Sequence, residues 1–286
     1  MNNEELITMQ QLNKSHMNDL LSLATIVGWD YDLEEIQTLL FSGTMFGHIT
    51  LEKTVISCAA IIPYGARLAS IGMVIVHPNY RGRGLAKALL IHCMNQVPRN
   101  MALMLIATKE GRPVYEKLSF KEYSHVTKLL GEGKQMKLVE LDGYTIHPLE
   151  KTDLEEMLVL DQAAFGSSRV LFLENRIKQA KDSLVLKNRK GVIVGYALTV
   201  KKPSNLVIGP IVAQDDEQAI LLIQTIIANN PGSIRIDVVE GKNKVIEDLQ
   251  KLGFQIANRP PVMVKNIEAF AKRNNCLYAI AAQAYG

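Results

Sequence analysis

The chain has 286 residues, of which 48% are hydrophobic and 21% charged, and its formal net charge at pH 7 is +3. This length exceeds the roughly 100–200 residues of one domain and predicts two domains. No segment approaches the ~18 apolar residues of a membrane span. The amino terminus lacks the basic start and apolar run of a signal peptide, so we expect a cytoplasmic protein without a membrane partner. The small, evenly mixed charge gives no indication of a nucleic-acid partner.

The cysteine and histidine residues show no pattern of a metal or disulfide site. The three cysteines, Cys58, Cys93 and Cys276, form no Cys-x-x-Cys pair, and two of them lie in apolar runs. Buried thiols are therefore expected. The six histidines lack metal-ligand spacing, so no metal is predicted.

An internal repeat sets the order of the predicted elements. When the sequence is shifted against itself by 137 positions, residues 12–23 align with residues 149–160. Both segments predict an apolar helix, with Ser15 and Thr152 as the candidate N-caps.

Two strand–turn–strand patterns follow at the same shift, where HITLEKTVISCAAI aligns with VLKNRKGVIVGYAL. Both are rich in β-branched residues and predict hairpins. Later, YEKLSF aligns with LQKLGF at a shift of 134, and the second copy lacks five residues of the intervening loop. Each copy therefore predicts helix, three strands, loop, helix, strand, helix and strand, which is a mixed α/β order.

The repeat divides the predicted fold into two domains in tandem, residues 1–130 and residues 144–286. The linker between them, residues 131–143, has three glycines and charges of both signs, which is typical of a connecting segment. We expect the apolar tail CLYAIAAQAYG to pack on a domain, and the last 20 residues to complete the second sheet or close the interface.

The stretch HPNYRGRGLAKALL, residues 77–90, connects a predicted strand to a predicted helix. Pro78 ends the strand because proline cannot donate to a ladder. Apolar residues at helical spacing predict a helix that begins near Leu85. The loop therefore lies at a helix amino terminus, where free backbone N–H groups and the helix dipole favour an anion.

The composition of this loop is suited to a phosphate group. Gly82 and Gly84 permit positive φ and a close backbone approach, and Arg81 and Arg83 add positive charge. The loop is not a mononucleotide P-loop, because no Lys-Ser/Thr pair follows its glycines. It is not a dinucleotide-binding motif either, because the third glycine of that motif is missing. A glycine-rich turn with solvated arginines and no ligand is the structural alternative.

This stretch resembles the acyl-CoA signature of the GNAT superfamily of N-acyltransferases, a strand followed by Arg/Gln-x-x-Gly-x-Gly/Ala. Arg81, Gly84 and Ala86 occupy the signature positions. The order of elements in residues 1 to about 130 fits the family too, and the second copy resembles the same fold more weakly. The resemblance implies two GNAT-like domains in tandem, each a mostly antiparallel mixed sheet with flanking helices.

The resemblance also implies acetyl-CoA as the acyl donor and cosubstrate. The backbone of the strand before the loop would hydrogen-bond the pantetheine arm, and the loop amides would hold the pyrophosphate. The residues implied are Val74, Val76, Arg81, Gly82, Arg83, Gly84, Leu85 and Ala86.

Tyr115 occupies the position of the family's general acid, before a Leu-Gly-Phe-like strand start in which Ser119 replaces the glycine. A tyrosine hydroxyl, with a pKa of about 10, is protonated at neutral pH and can protonate a departing thiolate. Packing between helix and sheet is the alternative role. Many family members carry a glutamate base on the strand before the loop, where this chain has Gly72, so Asp30 and His77 are candidate bases by location only.

The segment joining the first two helices often walls the acceptor site in this fold. Trp29 and Asp30 in that segment are therefore candidate acceptor-binding residues, with a core position as the alternative for Trp29. Glu34 and Glu35, which follow, are predicted to lie on a solvated helix face.

The second copy has lost the phosphate loop and has Leu249 at the position of Tyr115, so it resembles a degenerate GNAT repeat that covers the acceptor cleft. The predicted function is direct transfer of an acetyl group from acetyl-CoA to a primary amine of a small molecule or peptide. A non-catalytic acyl-CoA sensor and a scaffold whose loop binds any anion are the alternatives. The sequence specifies neither the amine nor an oligomeric state.

Overall fold

The computed structural model describes residues 6–136, 138, 140–266, 268 and 272–286. Residues 1–5 of the predicted first domain, Lys137 and Val139 of the predicted linker, and part of the last 20 residues lie outside the described residues.

The first half of the chain begins with a strand that the repeat did not predict, and two helices follow it. Asn13 caps the short 3-10 turn that leads into the first helix, and its side chain accepts from the Ser15 amide at 2.9 Å. The helix itself begins after His16, so the prediction of Ser15 as the N-cap was wrong. The elements are β1 (Thr8–Leu12), α1 (Met17–Ile26), α2 (Leu33–Ser42), β2 (Thr44–Ile49), β3 (Val55–Tyr64), β4 (Leu68–Val76), α3 (Leu85–Met94), β5 (Ala102–Ile106), α4 (Arg112–Lys117) and β6 (Lys121–Gly133).

The second half repeats this order. Glu150 and Asp153 bind each other's backbone amides in a capping box around the short 3-10 turn that leads into its first helix. The helix itself begins after Asp153, so the prediction of Thr152 as the N-cap was wrong. The elements are β7 (Tyr144–Pro148), α5 (Leu154–Phe165), α6 (Val170–Gln179), β8 (Asp182–Asn188), β9 (Ile193–Lys201), β10 (Leu206–Val212), α7 (Asp216–Asn229), β11 (Gly232–Val239), α8 (Asn243–Lys251), β12 (Gln255–Asn258), β13 (Pro261–Lys265) and β14 (Leu277–Ala279).

The strands form one continuous twisted surface in the order β1-β2-β3-β4-β5-β13-β6-β11-β14-β10-β9-β8-β7, with β12 beside β6. Within the described residues, parallel pairing occurs only between β4 and β5 and between β10 and β11. Both predicted hairpins are present, as β2–β3 and β8–β9. The predicted mixed α/β fold with a mostly antiparallel sheet is therefore confirmed.

The two halves exchange strands at their junction. β13 comes from the second half but lies between β5 and β6, so Met263 pairs with Leu105 on one side and Glu122 on the other. β6 then continues, and its second part pairs with β11 from Val126 to Gly133. Each sheet is thus completed by the other half of the chain. The division at residues 130 and 144 describes the sequence repeat and stays a prediction as a domain boundary.

Cys58 and Cys93 are buried, as predicted, and Cys276 is partly exposed. Among the described residues, no helix has both the length and the apolar composition needed to cross a bilayer. In the same part of the chain, no group of His, Cys, Asp and Glu side chains is arranged to hold a metal ion.

Candidate functional site

β4 separates from β5 before it reaches the glycine-rich loop. The two strands pair only from Leu68 to Ser70, and Met73 then adopts a φ of 49° at a bulge against β3. Val74 and Val76 follow on the stretch that has no pairing to β5 among the described residues, and both are partly exposed. A strand that splays in this way leaves backbone groups that must find other partners, which an extended amide-bearing ligand can provide.

The loop after β4 presents its backbone outward. Gly82 and Gly84 have φ values of 80° and 78°, and a Cβ at either would meet nothing within 4 Å. α3 begins at Leu85, as predicted, and no side chain among the described residues caps its amino terminus. Arg81 donates to the Val76 carbonyl at 3.3 Å, which fixes the loop to the strand end. The open first turn is electrostatically suited to an anion.

A cavity of about 310 Å³ lies between the two halves of the chain. It brings together four of the residues predicted from the sequence: Trp29, Asp30, Val74 and Tyr115 all line it. Val76 and residues 81–86 do not line this cavity and lie further along β4 and its loop. The predicted acceptor segment, the predicted acid and the splayed strand therefore meet at one cavity, and the loop lies beyond it.

Tyr115 lies in α4 and is only 6% exposed. Its hydroxyl makes no hydrogen bond to any residue that the structure describes, and its ring packs edge-on against Phe120. A Cβ at Gly111 would lie 3.1 Å from the hydroxyl, so the glycine leaves space beside it. Burial raises the pKa of Tyr115 to about 12, which keeps the proton on the hydroxyl at neutral pH.

Of the two candidate bases, only Asp30 lies at the cavity. Its carboxylate accepts from the Ser204 amide at 3.1 Å, the Ser204 hydroxyl at 3.0 Å and the Asn205 side chain at 3.3 Å. His77 instead caps the turn after β4, where its Nδ1 accepts from the Asn79 amide at 3.2 Å. Trp29 stacks beside Tyr31, with ring centroids 5.9 Å apart.

The corresponding cleft of the second half is filled by the chain itself. β10 and β11 pair only from Leu206 to Ile208, and β14 then enters between them, so Ala279 pairs with both Ile211 and Val238. The last residues thus complete the second sheet, which was one of the two expectations for them.

The helix that follows β10 is also unsuited to a phosphate group. Asp215 caps α7 by accepting from the Gln218 amide at 2.9 Å, and Asp216 and Glu217 place further negative charge in the first turn. Leu249, at the position that matches Tyr115, is buried. These features explain physically why the second copy, which was predicted to be degenerate, is unsuited to binding a phosphate group or protonating a thiolate.

Comparison with known proteins agrees with this duplicated architecture. Residues 46–122 and residues 157–279 each match a family model described as an acetyltransferase (GNAT) domain. The chain is 33% identical over 284 residues to the uncharacterized N-acetyltransferase YitH of Bacillus subtilis strain 168, covering 99% of each protein. The chain belongs to the GNAT acetyltransferase family.

Two solved structures resemble this GNAT chain over nearly its whole length. A provisionally assigned acetyltransferase from Pyrococcus horikoshii superposes with a TM-score of 0.79 at 17% identity, covering 100% of this chain and 99% of that one. A tandem GNAT protein from the clavulanic acid biosynthesis pathway gives a TM-score of 0.67 at 13% identity, covering 91% and 98%. At such identities the likeness concerns the fold, and it supports the predicted tandem of GNAT domains.

The glycine at the family's usual glutamate position lies against the end of the chain. A Cβ on Gly72 would fall 2.5 Å from the Ala284 carbonyl oxygen. Ser70 donates to the same carbonyl at 3.1 Å, and Tyr64 donates to the Tyr285 carbonyl at 2.9 Å. The terminal segment therefore occupies the space that a side chain at position 72 would need, and it closes the interface as well as completing the second sheet.

We expect Gly72→Ala to destabilise the protein by about 1–3 kcal/mol, the usual cost of overpacking a filled site. The backbone of the terminal segment would have to move, and the Ser70 and Tyr64 hydrogen bonds would weaken with it. Urea denaturation of the wild type and the variant measures this difference. An unchanged free energy of unfolding would contradict the close contact with Ala284.

Glu35 was predicted to lie on a solvated helix face, and this prediction was wrong. The side chain is buried, with 3% of the residue exposed, and it lines the cavity. It accepts two hydrogen bonds from Arg176, at 2.9 and 3.0 Å, and it also forms an ion pair with Lys202. Burial alone would raise the pKa of Glu35, but the two cations outweigh it and lower the pKa to about 2. Glu34, one residue earlier, is exposed as predicted.

The sequence reasoning missed the charged residues that the rest of the chain contributes to the cavity. No local pattern marks them, because each belongs to a strand or loop whose position depends on sheet pairing. They are Lys128, Lys202 and Arg235.

Proposed function

We propose that this chain is an acetyl-CoA-dependent N-acetyltransferase that transfers the acetyl group directly to a primary amine of a small molecule or peptide. The observation that carries the proposal is that one cavity is lined both by Val74, on the splayed strand, and by Tyr115. A donor that extends along β4 from the loop would bring its thioester to the hydroxyl group that can protonate the leaving thiolate. We propose that the reaction takes place in the cytoplasm and involves neither a membrane nor a nucleic acid.

The residues present fit the donor at both of its recognition points. The backbone of Val74 and Val76 would hydrogen-bond the pantetheine amides, because this part of β4 has no strand partner toward β5 among the described residues. The amides of residues 81–86 would hold the pyrophosphate, with Arg81 and Arg83 adding charge.

The chemistry needs an acid for the thiolate and an acceptor for one amine proton. The amine nitrogen forms a bond to the acetyl carbonyl carbon, and the carbon–sulfur bond breaks. Tyr115 donates its proton to the departing sulfur and regains one from solvent. An acceptor that arrives as an ammonium ion first loses one proton to water, because only the neutral amine can attack. The proton that the adduct nitrogen then loses passes to Asp30 or to water in the cavity, since position 72 provides no carboxylate.

The proposal assigns one donor site to each chain. Among the described residues, only the first cleft has an open loop, because β14 fills the second and the helix after β10, α7, begins with acidic residues. The acyl-CoA sensor alternative makes the same assignment but predicts binding without acetyl transfer, so release of the CoA thiol with a panel of primary amines separates the two.

Gly84→Asp is expected to weaken CoA binding by at least about 100-fold, because the new carboxylate repels the pyrophosphate and a side chain is strained at this positive φ. Calorimetric titration of the full chain with CoA measures the affinity and the stoichiometry of one. Gly253→Asp is the matched control, since Gly253 also has a positive φ and open surroundings but lies in the second half. Unchanged CoA binding by Gly84→Asp would rule out this loop as the donor site.

A further inference from the structure

One wall of the cavity is formed by three neighbouring strands that carry polar side chains on the same face. Lys128 of β6 lies directly opposite Asp237 of β11, and Arg235 is two residues away on that strand. Asn258 of β12 pairs with Lys128 on its other side. Residues directly opposite each other in a ladder share a face, so these side chains form one polar surface. Lys128, Arg235 and Asn258 all line the cavity.

This wall carries more positive than negative charge. Arg235 pairs with Asp237 at 2.5 Å, whereas Lys128 has no hydrogen-bond or ion-pair partner among the described residues. Burial, and next the neighbouring Arg235, lower the pKa of Lys128 by more than the carboxylates of Asp237 and Asp30 raise it. The Arg235 Nε and one Asp237 oxygen are also buried without a hydrogen-bond partner among the residues described. The wall therefore has hydrogen-bonding groups that are available to a polar ligand.

Asp30, elsewhere in the cavity lining, carries a negative charge. The hydrogen-bond donors to the Asp30 carboxylate, Ser204 and Asn205, are all neutral, so they leave its negative charge uncompensated. Asp30 and Lys128 are close enough to influence each other electrostatically.

The other charges at the cavity compensate one another. Glu35 is paired with Arg176 and Lys202, and Lys202 is also 3.2 Å from Asp32. Within the part of the chain that the structure describes, the cavity lining thus carries one cation and one anion without an ion-pair partner, Lys128 and Asp30.

We propose that the acceptor is a small amine that also carries an anionic group, which Lys128 binds with Arg235 beside it, while Asp30 attracts the ammonium group. This inference rests on the proposed transferase function and adds the class of its substrate. A ligand anion would form charge-assisted hydrogen bonds with cations that are already partly desolvated. An amine without such a group would leave Lys128 half-buried, without an ion-pair partner and next to a second cation, so polyamines and simple alkylamines are disfavoured. The cavity volume of about 310 Å³ suits a ligand of amino-acid size.

The test compares acetyl transfer to matched amines by the full chain. One arm pairs L-amino acids with their carboxamides, and the other pairs 2-aminoethylphosphonate with ethanolamine, so the arms distinguish a carboxylate from a phosphonate acceptor. For at least one pair, we expect kcat/KM of the wild type to favour the anionic member by about 10-fold or more, the worth of a charge-assisted hydrogen bond. Lys128→Met should reduce this ratio to about threefold or less through KM, and Lys128→Arg should restore it. Comparing ratios between variants cancels the different basicities of the amines.

Lys121→Met is the control, because Lys121 is exposed and lies on the same strand outside the cavity. It should leave every ratio unchanged. Equal kcat/KM for both members of every pair with the wild type would overturn the inference, as would a preference that Lys128→Met does not alter.

A binding measurement separates this inference from the transferase function. We expect the CoA-loaded wild type to bind N-acetylglycine or 2-aminoethylphosphonate in calorimetry, and Lys128→Met to bind it about 10-fold more weakly. If no amine is acetylated but this difference is found, the transferase function fails and the anion site stands. If the wild type binds neither probe, or the variant binds equally well, the anion site is contradicted.

Discussion

Replacing Tyr115 with phenylalanine is expected to lower kcat by about 10²–10⁴-fold, the usual contribution of a positioned acid. The ring and its packing against Phe120 are retained, and the hydroxyl makes no hydrogen bond to a described residue, so folding should be little affected. Steady-state kinetics measure the loss, while CoA affinity and melting temperature serve as controls. If kcat stays within about threefold while chemistry is rate-limiting, the hydroxyl is not the acid.

The pH dependence gives a second expectation for the same residue. Because burial raises the pKa of Tyr115 to about 12, its proton remains in place throughout the usual assay range. We therefore expect no fall in kcat between about pH 7 and pH 10 from loss of this proton, although an ordinary tyrosine would be half ionised near pH 10. A basic limb below pH 10 that is present in the wild type and absent from Tyr115→Phe would contradict this assignment of the pKa.

Replacing Glu35 with glutamine is expected to destabilise the protein by about 3–5 kcal/mol, because it removes the partner of a buried cation. Arg176 is 1% exposed and would keep its charge without the carboxylate that now accepts both of its hydrogen bonds. Denaturant unfolding measures the change. Glu34→Gln is the matched control, since Glu34 is the exposed neighbour on the same helix and should differ by less than about 0.5 kcal/mol.

The same pair predicts the direction of acid destabilisation. The pKa of Glu35 falls from 4.5 to about 2 in the folded protein, so its stabilisation is fully present above about pH 4.5 and is lost as the pH falls toward 2. In Glu35→Gln this part of the acid dependence should disappear. If Glu35→Gln is as stable as Glu34→Gln at neutral pH, the buried ion pair does not stabilise the folded protein.

The parts of the site that follow from short stretches of sequence could be predicted. Pro78 ends β4, the two loop glycines have positive φ, and the apolar periodicity places the start of α3 at Leu85, as the structure shows. These features depend on local backbone chemistry within about a dozen residues. The internal repeat extended the same reasoning to the second half, including the loss of its phosphate loop.

The parts that depend on pairing between distant segments could not be predicted. Periodicity identifies a strand but not its neighbour, so it gave no indication that β13 joins β5 or that β14 fills the second cleft. Glu35 was misassigned for a similar reason, because Arg176 and Lys202 lie far along the chain and no local pattern reports a buried ion pair. Lys128 was not predicted to line the cavity, because its position there depends on where β6 crosses between the two sheets.

The central claim is that the first half of this GNAT chain transfers an acetyl group from acetyl-CoA to an amine. The most direct measurement is mass-spectrometric detection of the acetylated amine, together with free CoA thiol, in reactions of the full chain with acetyl-CoA and a panel of primary amines. We predict that at least one amine is acetylated in an amount equal to the thiol released, and that Tyr115→Phe slows both products alike. Tight CoA binding without an acetylated amine from any member of the panel, or thiol release by hydrolysis alone, would contradict the account.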